Sequence, residues 1–161
     1  MHIVKKILRD VSYVCELMEK CEDDIRLLRL YFVLCVTLLR TVGHVLDKVA
    51  SEESRELNTA ISKWWRELKQ NRNENAIFFN FIEKERNLIL KEYETNIRED
   101  DIHITYGIGI EMNLFNLGGL YRPLADTSYS DEDIRDIISD CIRWWNKQLN
   151  VIGAIINDDK V

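Results

Sequence analysis

Phe78-Phe-Asn-Phe-Ile-Glu-Lys-Glu-Arg-Asn-Leu-Ile-Leu-Lys-Glu-Tyr-Glu94 is the stretch on which the fold turns. On a wheel of 3.6 residues per turn, Phe78, Phe79, Phe81, Ile82, Leu88, Ile89, Leu90 and Tyr93 share one side. Asn80, Glu83, Lys84, Asn87, Lys91 and Glu94 lie opposite or at its edge, as on an ordinary solvated face. An amphipathic helix is therefore predicted over about 74–96. Glu85 and Arg86 fall inside the apolar arc. A charge among aromatic side chains has to be paired or hydrogen-bonded, because burying it alone is costly. Both residues thus have a structural or a chemical task.

Working outward, the composition agrees with helices. The 161 residues include one proline and six glycines, too few turn formers for a many-stranded sheet. With 46% apolar and 31% charged residues, the chain reads as a single globular helical domain spanning 1–161. The formal charge of −6 opposes a surface that coats nucleic acid, but leaves room for a small basic cleft on an acidic body.

Cys15, Cys21, Cys35 and Cys141 show no Cys-x-x-Cys and no nearby Cys/His pair, so neither a metal site nor a disulfide framework is expected. Reduced core thiols and a cytoplasmic location are the reading. The run Leu30–Val36 is seven residues long between Arg29 and Arg40, too short for a membrane span. Lys5, Lys6 and Arg9 are followed by no secretory pattern.

Asp23–Ala50 reads as one long central helix, and 4–20 as a further helical segment. Ser51–Ser54 offers N-cap residues for a helix to about Gln70. Asn71–Asn75 is a polar break. After the 74–96 helix the period changes. Ile102, Ile104, Tyr106, Ile108, Ile110, Met112 and Leu114 alternate with His103, Thr105, Gly107, Gly109, Glu111, Asn113 and Phe115. This predicts a strand that Gly118-Gly119 turns back into Leu120-Tyr121, the hairpin or extended β insertion lying within about 100–124. A hairpin alone is marginal and should lie on the helices or pair with another chain. Ser130–Asp133 resembles a capping box before a final helix carrying Ile134, Ile138, Cys141, Trp145, Leu149 and Ile152 on one side, with a frayed end over 157–161. The expected fold is mainly α, a four- to five-helix up-down bundle with a β insertion at about 102–121.

Lys63-Trp64-Trp65 and Arg143-Trp144-Trp145 each place adjacent rings about 100° apart, so one ring of each pair should be buried and one at a boundary. Core packing is favoured there over a stacking platform for bases. No phosphate-binding glycine loop, nucleophile elbow, zincin helix or dinucleotide fingerprint occurs, so no cofactor is implied.

An arginine embedded in a helical bundle and followed by asparagine, Arg86-Asn87, resembles the HEPN superfamily (higher eukaryotes and prokaryotes nucleotide-binding domains). The resemblance extends over about 23–96 and 130–157. It implies an all-helical, usually dimeric bundle, many members being metal-independent ribonucleases of toxin–antitoxin and phage-defence systems. Homodimerisation and a cognate antitoxin would follow, with RNA as the target of a nuclease. The family motif is Arg, four to six residues, then His. After Arg86 the expected positions hold Lys91, Glu92 and Tyr93, so Arg86, Asn87, Glu85, Lys91 and Tyr93 are candidates without the family's histidine. Arg98-Glu-Asp-Asp-Ile-His103 has the spacing, but Glu99, Asp100 and Asp101 would repel a phosphate. Arg40 and His44, at i and i+4 on the polar stripe of the long helix with Thr37, Asp47 and Lys48, form a third pair. His44 and His103 are the candidate bases. Two alternatives stand beside the nuclease. One is a non-catalytic interaction module in which Glu85 and Arg86 are structural; the other is a bundle that binds a small molecule.

Overall fold

The computed structural model describes residues 1–158 except 22, 23, 101, 109, 110, 118 and 126. Helix α1 (His2–Met18) packs along α2 (Ile25–Lys48), and α3 (Arg55–Gln70), α4 (Glu83–Glu92) and α5 (Ile134–Asp158) complete the bundle. A strand pair, β1 (His103–Ile108) and β2 (Glu111–Asn116), lies between α4 and α5. The mainly helical expectation holds, and one core runs from Val4 to Ile155. No helix among the described residues is long and apolar enough to cross a membrane.

Local chemistry sets the helix ends. Asp24 accepts from the Leu27 backbone N–H at 2.9 Å, and Ser54 from that of Leu57 at 3.1 Å, so each caps its helix. The long helix thus starts at Ile25, Asp23 itself lying outside the described residues. Before α5 the cap is Asp133 rather than Ser130. Asp133 Oδ1 accepts from Arg135 N at 2.8 Å, whereas the Ser130 hydroxyl is used within the 127–130 turn. Burial pushes the Asp133 carboxyl up, but the bonds from the Arg135 side chain and from the Arg122 and Arg135 N–H groups outweigh it and hold the group ionised. The Arg135 guanidinium also donates to the Gly119 and Leu120 carbonyls, which ties the base of the β insertion to α5.

The 74–96 helix differs from expectation in two ways. Ile77–Ile82 is wound as a π-helix, and α4 ends at Tyr93, whose φ of 56° is left-handed. Phe78, Phe79, Phe81 and Ile82, all within this π turn, enter the core. Downstream only Glu85 and Ile89 are buried in α4, while Leu90, at the edge of the apolar arc, and Tyr93, past the helix end, are exposed. Tyr93 is held by Arg29, which donates to its carbonyl at 2.8 Å and lies 4.8 Å over its ring.

The hairpin is present, with a different turn. His103 pairs with Asn116 and Ile108 with Glu111, so the hairpin's two strands are the two halves of the alternating run rather than that run and Leu120-Tyr121; residues 109, 110 and 118 lie outside the described residues. Both halves of the alternating run are strands, and alternation alone does not show where one run folds on itself. At the start of the hairpin His103, Ile104 and Thr105 are exposed.

The two tryptophan pairs behave as expected. Trp64 and Trp145 are buried, Trp65 and Trp144 half-buried. Both pairs converge on Phe78, which stacks on Trp144 and meets Trp65 and Trp145 edge-on. All four cysteines are free and buried, and burial pushes the Cys35 and Cys141 thiols well up, so they serve as small hydrophobes.

Candidate functional site

Along one edge of α2, Arg40 and His44 stand one turn apart, between the buried stripe and the solvent. Helix α3 brings Trp65, Arg66 and Lys69 to the same place, and the π turn contributes Phe78 and Phe79. The result is an open groove of about 700 Å3. Its rim carries Arg40, Arg66 and Lys69 as permanent cations against Asp47 and Glu83, with His44 exposed between them. Four further grooves among the described residues hold at least as many carboxylates as cations.

Cations and rings are interleaved in this groove. The Arg40 guanidinium lies 5.6 Å over Phe78 and 3.9 Å from the Glu83 carboxylate. Lys69 is 5.8 Å over Trp65, and Arg72, beside the groove, is 4.1 Å over Phe79. Such contacts hold flexible cations in place at little cost in hydration. Phe78 and Phe79 are buried floor, so Trp65 is the ring with a face to offer. Gly43 keeps the floor open. A Cβ there would stand 3.3 Å from Trp145 and 3.4 Å from both Arg40 Nη1 and Trp65.

The other candidates are dispersed. Arg86 and Asn87 do not line the groove; they are half-buried on α4, and Arg86 donates to the Asn87 side-chain oxygen at 3.1 Å. Lys91 is exposed in the last turn of α4. Tyr93 lines a second groove of about 750 Å3 with Arg26, Arg29 and Arg98, where Glu94, Glu99 and Asp100 balance the cations. Arg98 pairs with Asp131 at 3.7 Å, and His103 is exposed at the start of β1, outside the lining of that groove. Asp101 lies outside the described residues.

Glu85 is 1% exposed, and its partner is not an arginine. Asn96, eleven residues on, donates its side-chain amide to Glu85 Oε1 at 2.5 Å and its backbone N–H to Oε2 at 3.4 Å. Burial pushes the Glu85 carboxyl up, and the two Asn96 bonds pull it partly back. Glu85 thus fastens the chain leaving α4 to the helix, and it is sealed from any ligand.

Trp65, Arg66 and Lys69 were not among the residues read as candidates from sequence. Their signal was the basic residue on each side of Trp64-Trp65 with a third cation at Lys69, whose common destination only the packing of α3 on α5 and α2 discloses. No three His, Cys, Asp or Glu side chains among the described residues are placed to hold a metal ion together. Comparison of the chain with protein families, with curated proteins and with solved structures gives no match.

Proposed function

We propose that this protein is a HEPN-like RNA-binding bundle that cleaves single-stranded RNA at the groove holding Arg40 and His44. The observation that supports it is the meeting of Arg40, Arg66, Lys69 and His44 over an aromatic floor in one groove of an acidic protein. Cations beside a ring suit a phosphate joined to a base, the sequence-tolerant mode of single-strand binding. Excess positive charge in a concave site also attracts a polyanion that the remaining surface repels.

The chemistry needs one base and one cation. His44 takes the proton of a 2′-hydroxyl as that oxygen attacks the adjacent phosphorus. Arg40 stabilises the charge that builds on the phosphoryl oxygens. The P–O5′ bond breaks, the leaving 5′-oxygen takes a proton from water or from the His44 imidazolium, and a 2′,3′-cyclic phosphate remains. Such an activity suits a toxin–antitoxin or phage-defence component in the cytoplasm, restrained by a cognate protein antitoxin.

The test is incubation of total RNA with the purified protein in EDTA. Wild type is expected to leave 2′,3′-cyclic phosphate ends, and His44→Ala to lose roughly 100-fold or more of that rate with an unchanged melt, since His44 is exposed. Undiminished cleavage by His44→Ala would place the reaction elsewhere.

A second reading, a homodimeric interaction module, is favoured by Leu27, Leu30 and Leu34. They are 36%, 44% and 42% exposed and follow one another at heptad spacing on α2. Light scattering is expected to give a dimer for wild type and a monomer for Leu34→Glu. A wild-type monomer at high concentration would remove this reading.

A further inference from the structure

Most of the basic residues of helix α2 stand in a single row. Arg26, Arg29, Arg40 and His44 fall on one stripe, together with Val33 and Thr37, at successive steps of three or four residues. The row therefore has a gap of three turns between Arg29 and Arg40, where its members are uncharged.

Helix α4 lies against this stripe and runs the opposite way. Arg40 meets Glu83 at 3.9 Å, while Arg29 meets Tyr93 through its carbonyl at 2.8 Å and its ring at 4.8 Å. Those two contacts fix the register. Arg86 follows Glu83 by one helical turn, on the same face, and precedes Tyr93 by two. It is therefore beside Val33 and Thr37, in the gap of the α2 row. Arg86 is half-buried, and among the described residues it makes no ion pair, its one bond being to Asn87. Arg29 and Arg40, by contrast, each have a carboxylate at 3.9 Å that a ligand would displace.

We infer that the α2–α4 seam is a strand-binding track that joins the Arg40 groove to the Arg29–Tyr93 groove, with Arg86 taking a phosphate midway, so that the ligand is a single-stranded oligonucleotide rather than a mononucleotide. This rests on the reading of the Arg40 groove given above. From Arg29 to Arg40 is eleven residues, about 16 Å of helix, or about five nucleotides at the 3.4 Å stacked rise. Tyr93, 63% exposed at the far end, offers a second ring to a base. Arg86 is a positioning residue for the strand in this arrangement, not a group at the reacting phosphate.

Fluorescently labelled oligothymidylates of one, two, four, six and eight nucleotides test this, because they lack the 2′-hydroxyl and are not cleaved. Affinity is expected to climb to about five or six nucleotides and then level off. Arg86→Ala should lower hexamer affinity roughly five- to tenfold and flatten its log-affinity against log-salt slope by about 0.7, the value of one phosphate contact on a single strand. Arg86→Lys should restore most of that slope, which a merely structural arginine would not, and melts of both variants report whether the fold survives. A mononucleotide bound as tightly as the hexamer, or a wild-type salt slope in a folded Arg86→Ala, would overturn the track alone. Binding of neither ligand by wild type would overturn the groove reading and the track with it.

Discussion

Arg40→Ala is expected to weaken binding of an uncleavable single-stranded hexamer roughly ten- to hundredfold, the worth of one charge-assisted hydrogen bond at about 1.5–3 kcal/mol. Arg40 is where the groove's parts meet. Its guanidinium lies over Phe78, beside Glu83, and next to the open space above Gly43. Removing it takes a phosphate donor and leaves Glu83 facing the ligand, so the loss exceeds that of a distant surface charge. The melt should move little, because the side chain is partly exposed and its pairing with Glu83 is long. Arg143→Ala serves as the control. Its side chain is 76% exposed on α5 and pairs with Asp140, outside the groove, so affinity should stay within twofold. Equal losses in the two variants would mean that only overall charge is felt.

Asn96→Ala is expected to destabilise the fold in a pH-dependent way. It removes the side-chain amide from the buried Glu85 carboxylate and leaves only the long backbone N–H bond, a loss of about 2 kcal/mol and roughly 4–8 °C in Tm for a chain of this length. The pH dependence carries the diagnosis. Burial raises the folded-state pKa of Glu85, so the stability tied to its proton is fully present below the unfolded value and is lost as pH rises through the folded one. Without the Asn96 amide the stronger of the bonds that pull that pKa down is gone, and the decline extends further. The gap between wild type and variant should therefore be small in acid and widen toward neutral pH. Adding Glu85→Gln to Asn96→Ala should recover much of the neutral-pH loss, since an amide has no charge to bury. A gap of constant size across the pH range would show that Asn96 acts through packing alone.

These two residues also show what a sequence discloses. That Glu85 needs a partner follows from its place among phenylalanines, but the partner, Asn96, lies past the end of α4 and carries no periodic mark. The wheel placed Glu85 inside correctly and put Leu90 and Tyr93 there wrongly. Leu90 lies at the edge of the arc, and Tyr93 stands where the chain leaves the helix in a left-handed conformation, which a wheel does not foresee. The helix spans and the presence of a hairpin were legible because their periods, 3.6 and 2, are local properties. The hairpin's turn was not, since the alternation continues across it.

The groove was legible only in fragments. Arg40 and His44 stood out by their i, i+4 spacing, and the paired tryptophans by their rarity. That Trp65, Arg66 and Lys69 face Arg40 is a property of how α3 packs, which neither fragment contains. Arg86 drew notice for lying in the apolar arc. Its relation to Arg29 and Arg40 depends on the register of α4 against α2, which the Arg40–Glu83 and Arg29–Tyr93 contacts set.

Photo-crosslinking of a 4-thiouridine oligonucleotide to the wild-type protein, with the attached peptides identified by mass spectrometry, asks most directly where RNA lies. Crosslinks at Trp65 and along 77–93 are the expected result, with competition by unlabelled RNA of the same sequence. Crosslinks confined to the hairpin or to α5, or none at all, would contradict RNA binding at the Arg40 groove.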